Sequence, residues 1–160
     1  MSSTSNEKII SLLNEALAQE YACFIRYSTH ASCVKGPNSM PLRELLKEIA
    51  KDEWEHADML RERVVSLGGQ PTLQVEKIEY AEDFDEILKI NMTEERDAIT
   101  MYQEILRLVH EEKALLHDQL MHILADEFCH LEKLQRLQSH EEAAEVAPVL
   151  KQVKFKTKIA

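Results

Sequence analysis

The sequence predicts an all-α protein: a four-helix bundle with a long connection between its second and third helices and a short C-terminal extension. Three observations support this prediction. The 160 residues are 44% hydrophobic but include only three glycines and four prolines, which favours long helices in a single domain. Apolar residues recur at intervals of three and four along four segments, as on amphipathic helices. The first two segments are also repeated, about 75 residues later, by the last two.

The first helix is expected to begin at Thr4, because Thr4 and Glu7 have the spacing of a capping box. Its apolar stripe consists of Leu13, Leu17, Phe24, Ala31 and Val34. Gly36–Pro37 ends this helix, and a break this short only allows an antiparallel neighbour. The second helix is then expected to stop near Leu67, where Gly68–Gly69 follows.

The third helix follows residues 70–82, which show no sustained apolar period. A segment of that length can cross the whole bundle, so the second and third helices are expected to run parallel. Asp83 is expected to cap the third helix, which extends to about Val109. The fourth helix, from about Lys113 to Ser139, again follows a short break and returns antiparallel.

The tail, residues 140–160, has no counterpart in the first half of the chain and is basic where the rest is acidic. Residues 141–149 can form a short fifth helix, which Pro148 interrupts. Residues 153–159 alternate like a strand. We therefore expect one domain over all 160 residues, with the bundle at about 5–139. The tail is interpreted either as a frayed or surface-packed terminus or as an arm that binds a partner or nucleic acid.

Each of the four helices carries acidic residues on its apolar stripe. The second and fourth contain Glu-x-x-His in the same phase, 74 residues apart: Leu42, Leu46, Ile49, Glu53, His56 and Leu60, then Leu116, Leu120, Ile123, Glu127, His130 and Leu134. The first and third carry one Glu each, 75 residues apart: Leu13, Leu17, Glu20, Phe24 and Tyr27, then Leu88, Met92, Glu95, Ile99 and Tyr102. These spacings direct four carboxylates and two imidazoles into an apolar interior.

Such a cluster requires cations. Unpaired buried carboxylates are strongly disfavoured, and several together would either take up protons or unfold the domain. Divalent cations remove this cost, and carboxylate oxygens with imidazole nitrogens suit iron, manganese or zinc. The sequence therefore predicts a dinuclear metal site whose ligands, and catalytic residues, are Glu20, Glu53, His56, Glu95, Glu127 and His130. If these residues were exposed instead, the leucines and isoleucines that share their stripes would face water.

Glu94 adjoins Glu95, and either could reach the centre. The stripe favours Glu95, which leaves Glu94 facing outward. Tyr27 and Tyr102 lie two turns from Glu20 and Glu95, where a phenol could bond to a ligand carboxylate or simply fill the core.

Asp52 and Asp126 directly precede the glutamates of the two Glu-x-x-His motifs. Each is expected either to hydrogen-bond the histidine of the opposite helix, and so orient it, or to be solvated.

The net charge of −10 argues against general nucleic-acid binding, which needs clustered Lys and Arg. No run of about 18 apolar residues is present, so no membrane span is expected. The first residues lack the apolar core of a signal peptide, and we expect a cytoplasmic protein.

The three cysteines, Cys23, Cys33 and Cys129, are odd in number and lack CxxC spacing, which favours reduced thiols. For Cys129 we favour a buried inert thiol over a redox role.

Several motifs resemble those of bacterioferritins, in the ferritin-like superfamily, over roughly residues 6–138. They are Glu53–Asp58 (EWEHAD), Leu67–Leu73 (LGGQPTL), Asp126–His130 (DEFCH) and Glu20 seven residues before Tyr27. The resemblance implies oxidation of Fe(II) by O2 or H2O2 and storage of Fe(III) mineral in a homo-oligomeric cage of 24 subunits.

The resemblance also implies roles for the six residues. Glu53 and Glu127 would bridge two iron ions in each subunit. Glu20 and His56 would complete one ion's ligands, and Glu95 and His130 the other's. Manganese or zinc could replace iron. Members of the family bind haem through a Met directly after the second helix's Glu, but Trp54 occupies that position here. Haem is therefore not expected, and Trp54 is expected in a dimer interface.

Two other functions remain open. One is a discrete di-iron or di-manganese oxidoreductase, such as a rubrerythrin-like peroxidase, although the paired CxxC motifs of its usual electron-transfer module are missing. The other is a DNA-protecting mini-cage of about 12 subunits. Its metal site lies between subunits and does not need both Glu-x-x-His motifs in one chain, so only the Lys-rich tail favours it. Particle size distinguishes 24 subunits, 12 subunits and a dimer.

Overall fold

Four helices make up the computed structural model, which describes the backbone of residues 3–109 and 113–156 and the side chains of 6–109 and 113–139. They are α1 (Ser3–Cys33), α2 (Ser39–Ser66), α3 (Phe84–Leu108) and α4 (Ala114–Lys156). The predicted all-α bundle with a long second connection is confirmed. Within the described ranges, no helix combines the length and the apolar character that a bilayer crossing requires.

The side-chain contacts between helices fix their directions. Tyr27 on α1 contacts Glu95 on α3, whereas Glu20, earlier on α1, contacts Tyr102, later on α3. These two helices are therefore antiparallel, and the same reversed order holds between α2 and α4. Since α2 also turns back antiparallel to α1 through a short loop, α2 and α3 run parallel, as predicted.

The connection between α2 and α3, residues 67–83, lies along α1. Near its start, the Thr72 N–H donates to Asn14 Oδ1 at 2.8 Å. Near its end, the Lys35 N–H donates to the Glu82 carbonyl oxygen at 3.0 Å. The connection thus runs the length of the bundle while α1 satisfies some of its backbone polar groups.

The helix ends follow the sequence signals. Asp83 caps α3, and its Oδ1 accepts the N–H groups of Asp85 and Glu86 at 3.1 Å each. The last turn of α2 is followed by Gly68 at φ 84°, a left-handed conformation that favours glycine. This turn directs the chain from α2 into the long connection.

Gly69 lies where the long connection approaches α2 and α1 closely. A Cβ added there would lie 2.6 Å from Ile10 Cγ2 and 3.2 Å from the Val64 carbonyl oxygen. That carbonyl oxygen accepts the Gly69 N–H at 2.9 Å, so the backbone has little room to move. We expect Gly69→Ala to lower the free energy of unfolding by about 1–3 kcal/mol, measured by urea denaturation. Gln70→Ala, at an exposed neighbour, should leave it unchanged; equal stability of the parent and Gly69→Ala would contradict the packing argument.

The core is divided into two apolar clusters by a polar layer. One cluster includes Leu13, Leu17, Leu60, Ile105 and Leu120. The other includes Leu42, Leu46, Ile49, Leu88 and Leu134. On each helix the acidic and histidine positions fall between the residues of these two clusters. The bundle therefore places its buried polar groups at mid-height, with apolar packing on both sides.

The C-terminal region differs from the prediction. Helix α4 continues from Ala114 to Lys156, so the expected end near Ser139, the interrupted fifth helix at 141–149 and the strand-like pattern up to Lys156 are wrong. Proline removes one hydrogen bond and crowds the carbonyl four residues earlier, which bends some helices without ending them. A short alternating run also does not discriminate strand from helix. Residues 157–160, and the tail's side-chain contacts, lie outside the described part of the chain.

Candidate metal centre

The six predicted ligands converge at the middle of the bundle. One group of side-chain ligand atoms within 4.8 Å of one another comes from Glu20, Glu53, His56 and Glu127. A second comes from Glu53, Glu95, Glu127 and His130. All six residues are buried, with relative exposures of 1–2%. Glu53 and Glu127 belong to both groups, so the arrangement has two halves that share two carboxylates.

Each half is organised around one imidazole nitrogen. His56 Nδ1 lies 3.0 Å from Glu53 Oε2, 3.2 Å from Glu127 Oε1 and 3.8 Å from Glu20 Oε2. His130 Nδ1 lies 3.1 Å from Glu127 Oε2, 3.5 Å from Glu53 Oε1 and 3.9 Å from Glu95 Oε2. The i, i+3 spacing on α2 and α4 places each Glu beside the His of the same motif. The ring centroids of His56 and His130 are 6.0 Å apart.

The outer nitrogens of both imidazoles contact aspartates. Asp126 Oδ2 on α4 lies 3.2 Å from His56 Nε2 on α2, and Asp52 Oδ2 lies 3.2 Å from His130 Nε2. Each histidine thus meets the aspartate of the opposite helix, the first of the two predicted alternatives. Because a carboxylate accepts, the Nε2–H donates to it and Nδ1 faces the centre. These contacts orient both rings for cation binding.

Two phenols reach across the bundle to the unshared glutamates. The Tyr27 hydroxyl donates to Glu95 Oε1, and the Tyr102 hydroxyl donates to Glu20 Oε1. Both tyrosines are fully buried. Each phenol therefore holds one oxygen of a carboxylate on the opposite helix and leaves the second oxygen directed at the centre.

Three carboxylate oxygens in this cluster have no hydrogen-bond partner: Glu20 Oε2, Glu95 Oε2 and Glu127 Oε1. Buried polar atoms almost always have a partner, so three orphans in one cluster call for an explanation. All lie within 4 Å of an imidazole Nδ1. The donor set is four carboxylates and two imidazoles, which hard and borderline divalent cations favour. The residues present therefore fit a pair of cations.

Without metal, this cluster retains protons. Burial, with the charges of Glu53 and Glu127, raises the pKa of Glu20 to about 8. Burial and the same two carboxylates raise the pKa of Glu95 as well. Burial alone would lower the pKa of His130, but hydrogen bonds to Glu127 and Glu53 outweigh it and raise the pKa to about 12. Cations must displace these protons, so metal binding weakens as the pH falls.

The same shifts predict how the stability of the metal-free protein depends on pH. A folded-state pKa raised above the unfolded value stabilises the fold at low pH, and this contribution is lost as the pH rises through the folded pKa. For Glu20, this loss extends over the interval from about pH 4.5 to about pH 8, set by its unfolded and folded pKa values. For His130 the interval runs from pH 6.5 to about pH 12. We expect the Tm of metal-free protein to fall by about 5–10 °C between pH 6 and pH 9, measured by circular dichroism. A Tm that rises over this interval would contradict these assignments.

Sequence reasoning missed a buried polar cluster beside Glu95. Arg26 is 1% exposed and donates to Asn91 Oδ1 at 3.0 Å and to Glu94 Oε2 at 3.2 Å. The structure places Glu95 in the centre, as predicted, but Glu94 pairs with this guanidinium and is not simply solvated. The repeat carries a signal of this cluster. Arg26 corresponds to Met101, 75 positions later, so a charged residue occupies a position that is apolar in the other copy.

The cysteines are unpaired, as predicted, but Cys129 is exposed, and the expectation of a buried thiol is wrong. Glu127 and His130 face inward, and Cys129 lies about 200° around the helix from Glu127, on the outer side.

Trp54 is 49% exposed, with its ring centroid 5.4 Å from that of Phe24. Its place in a dimer interface stays a prediction.

Comparisons with known proteins agree with this geometry. Residues 10–143 match the ferritin-like domain family. A bacterioferritin of Desulfovibrio desulfuricans is 29% identical over 135 residues, covering 83% of this chain and 75% of that protein. The dodecameric thioferritin of Bacteroides fragilis, a bacterioferritin-related protein, is 27% identical with a TM-score of 0.84, covering 89% and 90% of the two chains. A ferritin-like, diiron-carboxylate protein of Bacillus anthracis is 33% identical with a TM-score of 0.81, covering 86% and 99%.

Proposed function

This chain belongs to the ferritin-like domain family, and from that premise we propose that it is an iron-storage ferroxidase. It takes up Fe(II), oxidises it with O2 or H2O2 at the centre within each subunit and stores the Fe(III) mineral in a homo-oligomeric cage. The three unpaired thiols fit a reducing compartment, so we place the protein in the cytoplasm.

The observation that carries this proposal is the set of three orphaned carboxylate oxygens facing two correctly oriented imidazoles. In the proposed assignment, Glu53 and Glu127 are shared by two iron ions. Glu20 and His56 complete the ligands of one ion. Glu95 and His130 complete those of the other.

The chain's own residues define the chemistry. The bound ion pair supplies two electrons, which reduce O2 to H2O2, or H2O2 to water, with uptake of two protons. Four carboxylates against two neutral imidazoles make an anionic, oxygen-rich site that favours the ferric over the ferrous state. Asp126 and Asp52 accept from the Nε2 atoms of His56 and His130, so Nδ1 is the nitrogen that each ring presents to an ion once the centre has released its protons.

For the cage, we propose 24 subunits, as the resemblance to bacterioferritins implies. The similarity to a dodecameric thioferritin supports 12 as the alternative size. Haem is not part of the proposal, because Trp54 offers no thioether where a ligand would be needed. A dimer would instead support the discrete peroxidase, with iron or manganese at the same six residues.

Anaerobic addition of increasing amounts of Fe(II), from below to above two per chain, followed by O2 or H2O2, tests the reaction. Rapid formation of Fe(III) that saturates at two ions per chain supports the oxidation centre. Size-exclusion chromatography with light scattering, after loading with many more ions, then tests storage. Co-elution of Fe(III) with a particle of 24 or 12 subunits supports the cage. Oxidation no faster than in protein-free buffer would refute the proposal.

A further inference from the structure

The two halves of the centre have different surroundings. We call Glu20 with His56 the first half, and Glu95 with His130 the second half. The buried polar cluster around Arg26 lies beside the second half, since Arg26 packs on Tyr27, which bonds to Glu95. If two ions bind here, as the proposed function requires, this asymmetry makes their binding sites electrostatically different.

Arg26 is the cation of this cluster. Its guanidinium carbon lies 5.3 Å from the centroid of the Tyr27 ring, and the Tyr27 hydroxyl donates to Glu95. One guanidinium nitrogen also contacts Cys23 Sγ at 3.3 Å. Arginine keeps its charge in proteins, so a buried positive charge is one aromatic ring away from the second half.

The other members of the cluster are mostly neutral. His30 Nε2 lies 3.2 Å from the Glu79 carbonyl oxygen, to which it must donate, so His30 Nδ1 accepts from Asn91 Nδ2 at 3.1 Å. Burial, together with the charge of Arg26, lowers the pKa of His30 and keeps it uncharged. Glu94 is the charged partner of Arg26 at 3.2 Å, and its side chain is 29% exposed. Water screens that carboxylate better than it screens Arg26, which is 1% exposed.

Among the side chains that the structure describes, the first half has no such cluster beside it. The 75-residue repeat pairs each cluster position with an apolar or uncharged residue near the first half: Cys23 with Ala98, Arg26 with Met101, His30 with Ile105, Asn91 with Ala16, and Glu94 with Gln19. The two tyrosines and the unshared glutamates, in contrast, are the same in both halves. The repeat therefore reproduces the ligands and their phenols but not the Arg26–Glu94 pair, and Arg61, which contacts Tyr21 near the first half, is 27% exposed and better screened than Arg26.

We infer that Arg26 is a specificity-determining residue that makes the two ion positions unequal. The first half binds its divalent cation first and more tightly. The guanidinium opposes a cation in the second half. Only the Tyr27 ring lies between the two positive charges, and buried charges are poorly screened from each other. Glu94 offsets part of this repulsion. The centre therefore fills in order, and the ion of the second half exchanges more readily.

Calorimetric titration with Co(II), which O2 does not readily oxidise under these conditions, measures the two affinities without any turnover. The parent should bind two ions per chain in two steps, with dissociation constants at least about tenfold apart, which is 1.4 kcal/mol. His130→Gln should remove the weaker step, and His56→Gln the tighter one. If the parent bound no ion that depends on these histidines, the proposed function would fail, and this inference with it.

Two substitutions in the cluster then test Arg26 itself. Arg26→Met, which copies Met101 of the other side, should tighten the weaker step about tenfold. Glu94→Gln leaves the guanidinium uncompensated and should weaken the same step several-fold. Met101→Leu should change neither step. If the cluster were merely structural, both substitutions would change the affinity of the weaker step in the same direction.

Opposite shifts of the weaker step in Arg26→Met and Glu94→Gln support the inference. Two ions of equal affinity in the parent, or shifts of the same sign in both variants, would overturn it while leaving the proposed function intact. If Arg26→Met did not fold, the half-buried Glu94→Gln would decide alone: an unchanged or tighter second step would overturn the inference.

Discussion

Glu127→Ala is expected to abolish rapid oxidation of Fe(II). Glu127 belongs to both halves of the centre, and its two oxygens lie 3.2 Å from His56 Nδ1 and 3.1 Å from His130 Nδ1. The substitution thus removes a ligand from both ions at once. Loss of residues that merely orient ligands already costs about 10–100-fold, so we expect a decrease of more than about 100-fold. The rate of ferric absorbance growth after mixing with O2 measures it.

The same variant should remain folded. Alanine leaves a cavity and removes a partner of His130, but it also removes one of four carboxylates that repel one another in the metal-free cluster, and these effects oppose each other. Glu132→Ala is a matched control, because Glu132 lies on the same helix with its side chain 66% exposed. It should oxidise Fe(II) as fast as the parent. A folded Glu127→Ala that also did so would show that the centre has been assigned wrongly.

The position of the site could be predicted because its residues obey helix periodicity. Glu53 and His56 share a face with Leu46 and Ile49, and once those leucines and isoleucines are buried the polar pair must be buried too. The repeat then places a second copy at the same height. Asp83 at the start of α3 was equally predictable, since capping depends on a few adjacent residues.

Features that depend on contacts between helices could not be predicted in this way. Arg26 is a long polar side chain beside the apolar stripe, and its burial depends on Asn91 and Glu94, more than 60 residues later. The sequence suggests a solvated arginine, because burial of a charge needs partners that only the fold brings together. The continuation of α4 past Pro148 is similar: local propensity disfavours it, and the sequence alone does not show what maintains the helix.

Asp126→Asn is expected to weaken metal binding in the first half by about 10–100-fold, measured by Co(II) titration. The carboxylate only accepts, so it holds the proton of His56 on Nε2. An amide can instead donate its N–H to Nε2, which places the proton on Nδ1. That nitrogen faces Glu53 and Glu127 at 3.0 and 3.2 Å, where a cation needs a free lone pair. A bound ion requires the neutral tautomer with its proton on Nε2, which the aspartate favours and the amide disfavours.

Asp52→Asn should produce the matching loss in the second half, because Asp52 contacts His130 Nε2 at the same 3.2 Å. Asp118→Asn is the control: this aspartate also lies on α4, but its side chain is 81% exposed. Each of these two substitutions should weaken only one Co(II) step, because each aspartate contacts one imidazole: Asp126 that of His56, and Asp52 that of His130. If Asp126→Asn instead weakened both steps equally, the effect would come from lost negative charge, and the orienting role of Asp126 would have to be abandoned.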